Sequence, residues 1–211
     1  MTPSPRVVLL HGFMGVPEDL SPFARSLGVD ARFVFPEGLV DLAPRGLRGR
    51  AWWPIDTDAR AEAIARGPRD LSDFAPDGLD AAQAHLAALL DALDREGPAA
   101  PLVLGGFSQG AMLACDLILR TPRAIDGLVI FSGSRITAER WRPLYAGRRG
   151  LRVFMSHGRS DDDLAFSAAE SFQRDLSAAG WDVTWCPFDG GHEIPLVVWR
   201  AFKRWLNRRA G

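Results

Sequence analysis

The chain has 211 residues, 47% of them apolar and 24% charged, with a formal net charge of -1. That balance suits a single α/β domain over residues 1–211 with a sizeable core. It offers no electrostatic case for nucleic acid or a strongly charged membrane surface as partner. Two cysteines, Cys115 and Cys186, are too few for a disulfide framework and form no cluster of zinc-binding spacing. The opening Met1-Thr2-Pro3-Ser4-Pro5-Arg6 lacks the basic-then-apolar order of a signal peptide, and no apolar run is long enough for a bilayer. The expectation is a cytoplasmic protein without stable membrane insertion.

Arg6 to Leu10 reads as a buried strand that stops at the glycine-bounded loop His11-Gly12-Phe13-Met14-Gly15. Pro17 to Leu27 reads as a short helix, with Leu20, Phe23, Ala24 and Leu27 on one face, and Ala31 to Phe35 as the next strand. The segment from Leu39 to Pro76 exceeds a usual βα connection and is a candidate lid or pocket wall, carrying the pair Trp52-Trp53. Leu79 to Leu93 has apolar residues at helical spacing, ended by Gly97-Pro98. Leu102-Val103-Leu104 is a strand leading directly into Gly106-Phe107-Ser108-Gln109-Gly110, and Ala111 to Leu119 is the helix after it. Leu128 to Phe131 and Leu151 to Met155 are further strands around an excursion, Ile136 to Arg149, too short for a large cap domain. Leu164 to Ala179 is helical, Val183 to Phe188 is the last strand, and a closing helix runs from about Ile194 to Asn207. Strands separated by helices predict a mainly parallel central sheet covered on both faces. Right-handed crossovers place the loops after the strands along one edge, which would gather Phe13, Ser108, Asp161 and His192.

Gly106 to Gly110 has the form G-x-S-x-G between a strand and a helix, the pattern of a nucleophile elbow. A serine hydroxyl needs an imidazole to take its proton, and the imidazole needs a third group to fix its tautomer and accompany its charge. Ser108, Asp161 and His192 occur in the order nucleophile, acid, base. Asp162 and Asp163 compete with Asp161 for the acidic role, though both also suit the first turn of the following helix. His11 is assigned to holding its loop by a hydrogen bond, and His85 and His157 to structural or solvated positions. The backbone amides of Gln109 and Phe13 are the expected oxyanion donors, with side chains more replaceable than that of Ser108. Met14, Trp52 and Trp53 are assigned to the substrate pocket; burial against the core is the other reading of the two tryptophans. This chemistry requires no metal and no organic cofactor. An exposed patch formed by some of the seven tryptophans would provide a homodimer surface.

The sequence resembles the phospholipase/carboxylesterase group of the α/β-hydrolases, related to the acyl-protein thioesterases. The resemblance covers essentially the whole chain and is carried by Leu10-His11-Gly12-Phe13, Arg50-Ala51-Trp52-Trp53, Gly105 to Ala111, His157 to Asp161, and Gly191-His192-Glu193-Ile194. It implies a compact α/β-hydrolase without a large cap, with nucleophile Ser108, acid Asp161, base His192 and amide donors at Phe13 and Gln109. Departures are the continuation Asp162-Asp163-Leu164-Ala165, where the family often has Pro-hydrophobic-hydrophobic-Pro, and Pro54-Ile55-Asp56 after the tryptophan pair. The expected substrate is a small short- to medium-chain carboxylic ester. Lysophospholipase or acyl thioesterase activity is the alternative, and a non-catalytic binding protein of the same fold is a third.

Overall fold

The computed structural model describes residues 4–96 and 100–208. The helix stop expected at Gly97-Pro98 lies outside the described residues. In chain order the strands are β1 (Arg6–Leu10), β2 (Arg32–Val34), β3 (Val40–Asp41), β4 (Arg50–Ala51), β5 (Leu102–Phe107), β6 (Gly127–Phe131), β7 (Arg152–Gly158) and β8 (Asp182–Phe188). The helices are α1 (Ser21–Ser26), α2 (Thr57–Ala65), α3 (Leu79–Arg95), α4 (Gln109–Arg120), α5 (Ala138–Trp141), α6 (Phe166–Ala178) and α7 (Leu196–Asn207).

Six strands form one sheet in the order β2-β1-β5-β6-β7-β8, with every pairing parallel. Because side chains alternate across a strand, each central strand feeds two cores. Val8, Leu10, Leu104, Ile130 and Met155 pack with α3, α4 and α6, which contribute Leu86, Leu113 and Phe172. Val7, Leu9, Val129, Phe131 and Phe154 face the other way, onto Leu20 and Ala24 and onto Val198, Trp199, Phe202 and Trp205 of α7. Each fully buried large side chain is worth about 1.5–3 kcal/mol of transfer free energy, so the two-sided coverage makes the sheet a rigid platform for the loops at its carboxyl edge.

The helix expected over 17–27 is two pieces, a 3-10 turn at Pro17–Asp19 and then α1. Pro22 is the physical reason: it has no amide to continue the first ladder, but is tolerated in the first turn of a new helix. Within the long segment, β3 and β4 pair as a small antiparallel ribbon. The helix α2 buries none of its residues and is capped by Asp56, whose carboxylate accepts the amides of Asp58 and Ala59 at 3.0 Å. The excursion after β6 contains only α5 and a 3-10 turn at Arg142–Arg148, so no large cap domain is inserted there. Among the described residues no helix is long and apolar enough to cross a membrane.

The tryptophans do not form the expected exposed patch. Trp52, Trp53, Trp141, Trp181, Trp199 and Trp205 are buried, and Trp185 is half-buried. Their place in the two cores removes the basis for a tryptophan-built dimer surface.

Candidate active site

The turn from β5 into α4 leaves no room for side chains around Ser108. A Cβ on Gly106 would lie 2.3 Å from the Leu10 carbonyl oxygen, and one on Gly110 would lie 2.5 Å from that same atom and 2.6 Å from the His11 oxygen. The glycines thus let both arms of the turn press against the end of β1. Ser108 itself has φ 53° and ψ -116°, a conformation outside the common regions for an L-residue that costs on the order of 1–3 kcal/mol. Its amide donates to Phe131 O at 2.9 Å and its carbonyl accepts from Met112 N at 3.1 Å, so sheet and helix together hold the strained residue.

His192 stands on the loop after β8. That loop closes against the end of β7, where a Cβ on Gly158 would come within 2.2 Å of Gly191 O, and the Ser160 amide donates to Gly190 O at 2.9 Å. The imidazole lies against Phe107, with ring centroids 4.8 Å apart. Its Nε2 is 2.9 Å from Ser108 Oγ and its Nδ1 is 2.8 Å from Asp161 Oδ2. Since an ionised carboxylate only accepts, Nδ1 carries the proton and Nε2 is left to accept from the serine hydroxyl.

The three adjacent acids have three different environments. Asp161 is buried, and its Oδ1 accepts the amides of Asp163 at 3.0 Å and Leu164 at 2.8 Å. Burial pushes its pKa up, but hydrogen bonds from His157, His192 and the Leu164 amide outweigh that and hold it well below the usual carboxylate range. Asp162 is exposed. Asp163 is buried and paired with Arg60 and Arg69, and the carboxylate that bonds the imidazole is that of Asp161. Neither Asp162 nor Asp163 sits in the first turn of α6, which begins only at Phe166.

His157 is not a solvated residue. It is fully buried at the end of β7, with Nε2 3.1 Å from Asp161 Oδ2 and 3.0 Å from Leu164 O. Two acceptors require that this nitrogen carry a proton. Its Nδ1 has no partner among the described residues. The four-residue interval from His157 to Asp161 was its available sequence signal. His11 does hold its loop: Nδ1 donates to Gly12 O at 2.7 Å while Nε2 accepts from Gly38 N at 2.9 Å.

The side chain of Gln109 has a structural role that a purely backbone assignment misses. Its Oε1 accepts from Trp52 N and its Nε2 donates to Trp53 O, both at 2.9 Å, tying α4 to the chain after β4. Trp52 is fully buried, its indole donates to His11 O at 2.8 Å, and it is absent from the cavity wall, which corrects its assignment to the substrate pocket. Trp53 does line the cavity. Met14, 37% exposed, borders an adjoining groove on the far side of Phe13 and Phe107 rather than the cavity that contains Ser108.

That cavity, about 100 Å³, brings together Ser108, His192, Phe13, Gln109, Trp53 and Met112, with Arg60 and Arg69 also on its wall. The loop carrying Phe13 adjoins the serine: a Cβ on Gly12 would be 3.4 Å from Ser108 Cβ. Gln109 opens α4, so its amide has no partner within the helix and lies at the positive end of the helix dipole. A carbonyl beside Ser108 could therefore meet in one place a hydroxyl with a proton acceptor and the Gln109 amide, which has no partner within α4.

The parallel sheet and the serine on a glycine-flanked strand-to-helix turn define an α/β-hydrolase. Residues 2–208 match the phospholipase/carboxylesterase family, and the chain belongs to it, with the general esterase and hydrolase chemistry of that family. Among curated relatives, acyl-protein thioesterase 1 of Neurospora crassa is 23% identical over 188 residues, 85% of this chain and 74% of that protein. The protein of the same name from Eremothecium gossypii is 35% identical over 77 residues, but the match spans only 36% of this chain and 32% of the relative. Among solved structures, esterase PE8 superposes with a TM-score of 0.76 at 27% identity, covering 98% of this chain and 92% of that one.

Proposed function

We propose that this protein is a serine carboxylesterase acting on short- to medium-chain esters. The observation that carries this reading is the continuous hydrogen-bond chain Ser108 Oγ to His192 Nε2, 2.9 Å, and His192 Nδ1 to Asp161 Oδ2, 2.8 Å. In the proposed reaction the Ser108 oxygen attacks the ester carbonyl as its proton passes to His192 Nε2. Asp161 stabilises the imidazolium and keeps Nδ1 protonated and oriented. The amides of Gln109 and Phe13 hold the developing oxyanion. Collapse expels the alcohol, which takes the proton from His192, and leaves an ester on Ser108. Water, activated by the same nitrogen, then releases the carboxylic acid and restores the serine.

The small cavity beside Ser108 favours short acyl groups over long ones. Thioester cleavage is the second reading, favoured by the similarity to an acyl-protein thioesterase over 85% of the chain. Treatment with a fluorophosphonate followed by peptide mass spectrometry tests the nucleophile. One adduct on the peptide containing Ser108, absent in Ser108→Ala, is expected; a folded protein that takes no adduct contradicts the reading. A parallel series of oxygen esters and thioesters of increasing acyl length separates the two substrate classes.

A further inference from the structure

The cavity that contains Ser108 and His192 carries two guanidiniums and one carboxylate on its wall, those of Arg60, Arg69 and Asp163. Both oxygens of Asp163 are occupied. Oδ2 accepts from Arg60 Nη2, and Oδ1 accepts from Arg69 through Nη2 and through Nε at 3.1 Å. The group has a formal charge of +1, and Asp161, whose carboxylate is turned to the two histidines, does not line the cavity. Among the described residues, Nε and Nη1 of Arg60 and Nη1 of Arg69 make no hydrogen bond to protein. The two arginine side chains remain 31% and 19% exposed, so these donors are not sealed in the core.

A cavity meant only for an alkyl chain would gain from apolar walls, such as those Ile55, Leu71, Phe74 and Met112 provide here. A clamp joining α2 to the loop after β7 would need one arginine for its one carboxylate. The second guanidinium leaves a surplus positive charge and planar donors on the wall of a largely apolar cavity. The only other partner of the Arg60 guanidinium among the described residues is the Phe13 ring, 6.0 Å from its Cζ, and such donors suit recognition of another carboxylate.

We propose that the esters cleaved here carry a carboxylate, held by the free donors of Arg60 and Arg69 while Ser108 attacks the ester carbonyl. The proposal rests on the esterase reading above and names its substrate class. The carboxylate is unchanged by the reaction, in which the ester and water give an acid and an alcohol. It can reside in the acyl part or in the alcohol part, and the substrates distinguish the two.

The test is kcat/KM for matched pairs. The 4-nitrophenyl hydrogen glutarate is compared with its neutral methyl ester for the acyl side, and butyryl glycolate with its methyl ester for the alcohol side. Preference for the carboxylate form by about 10- to 100-fold is expected in one pair, falling to about unity in Arg60→Gln. Arg60→Lys keeps a charge for Asp163 but loses the planar fork, and is expected to reduce the ratio by at least about threefold; it serves as the second variant if Arg60→Gln does not fold. Wild-type protein that cleaves the neutral esters as well as the charged ones in both pairs overturns the proposal and leaves the esterase reading standing. A preference that survives in Arg60→Gln, Arg60→Lys and Arg69→Gln assigns the arginines to structure alone and also overturns it. Failure to cleave any of the four esters overturns both readings.

Discussion

His157 and His192 place a ring nitrogen on the same atom, Asp161 Oδ2, at 3.1 and 2.8 Å. Only His192 also reaches Ser108. The buried His157 therefore acts as a fixed donor that positions the carboxylate from behind. His157→Phe is expected to lower kcat about tenfold with little change in KM, and to cost about 1–3 kcal/mol of stability through the lost bond to a buried carboxylate. His157→Gln, which can restore a donor, is expected to recover part of kcat. An unchanged kcat in the phenylalanine variant would contradict the positioning role.

Asp161 and Asp162 are adjacent in sequence but not in environment, one buried against two histidines and the other exposed. Asp161→Asn is expected to lower kcat roughly 10³- to 10⁴-fold, since an amide cannot fix the imidazole tautomer or accompany its charge. Asp162→Asn is expected to stay within about twofold of wild type. Ester hydrolysis rates of the two purified variants decide the assignment.

The side chain of Gln109 should prove hard to replace, although its proposed catalytic part is a backbone amide. Gln109→Ala leaves the buried Trp52 amide and Trp53 carbonyl without their side-chain partner, at a cost of about 1–3 kcal/mol for each group. Chemical denaturation should show a loss of roughly 2–6 kcal/mol, and KM should rise because Trp53 lines the cavity. A loss below about 0.5 kcal/mol would contradict the bridge.

Gly110→Ala sets two effects against each other. Alanine gains at most about 0.5–1 kcal/mol over glycine, the value for a helix interior, whereas Gly110 lies in the first turn of α4, and the added Cβ would sit 2.5 Å from Leu10 O and 2.6 Å from His11 O. Those atoms are backbone and cannot rotate away, so overpacking of about 1–3 kcal/mol or more wins. Thermal unfolding should show a lower Tm; a higher one would contradict the close approach.

His11 gives stability a pH dependence of definite sign. Burial lowers its pKa from the ordinary 6.5, the hydrogen bond to Gly12 opposing in part. The unfolded chain takes up a proton near 6.5 that the folded chain refuses until lower pH. Its contribution is thus complete above 6.5 and is lost as the pH falls from there toward the folded value. His11→Gln should flatten the decline of Tm between about pH 7 and 5. An equal slope in the variant would contradict this origin.

The sheet was legible because its strands are short apolar runs interrupted by glycine turns, and the meeting of Ser108, Asp161 and His192 was legible because motif and chain order set all three at strand ends along one edge. The contacts of Arg60, Arg69 and the Gln109 side chain were not. Arg60 and Arg69 meet Asp163 across 103 and 94 residues, and α2 buries nothing that periodicity could detect. The exchange between Gln109 and Trp52-Trp53 spans 57 and 56 residues and leaves no local trace. Trp52 shows the same limit from the other side: an aromatic pair in a long loop predicts a pocket wall as readily as a core. Tertiary hydrogen bonding, through His11 O, is what settles it.

Hydrolysis of a short-chain ester by wild type and by Ser108→Ala, with folding of both checked by circular dichroism, decides whether Ser108 is the nucleophile. The predicted result is a fall in kcat of roughly 10⁴-fold or more in the variant. Turnover by Ser108→Ala within about tenfold of wild type, a change of only ~1.4 kcal/mol in barrier, would contradict acyl transfer through Ser108.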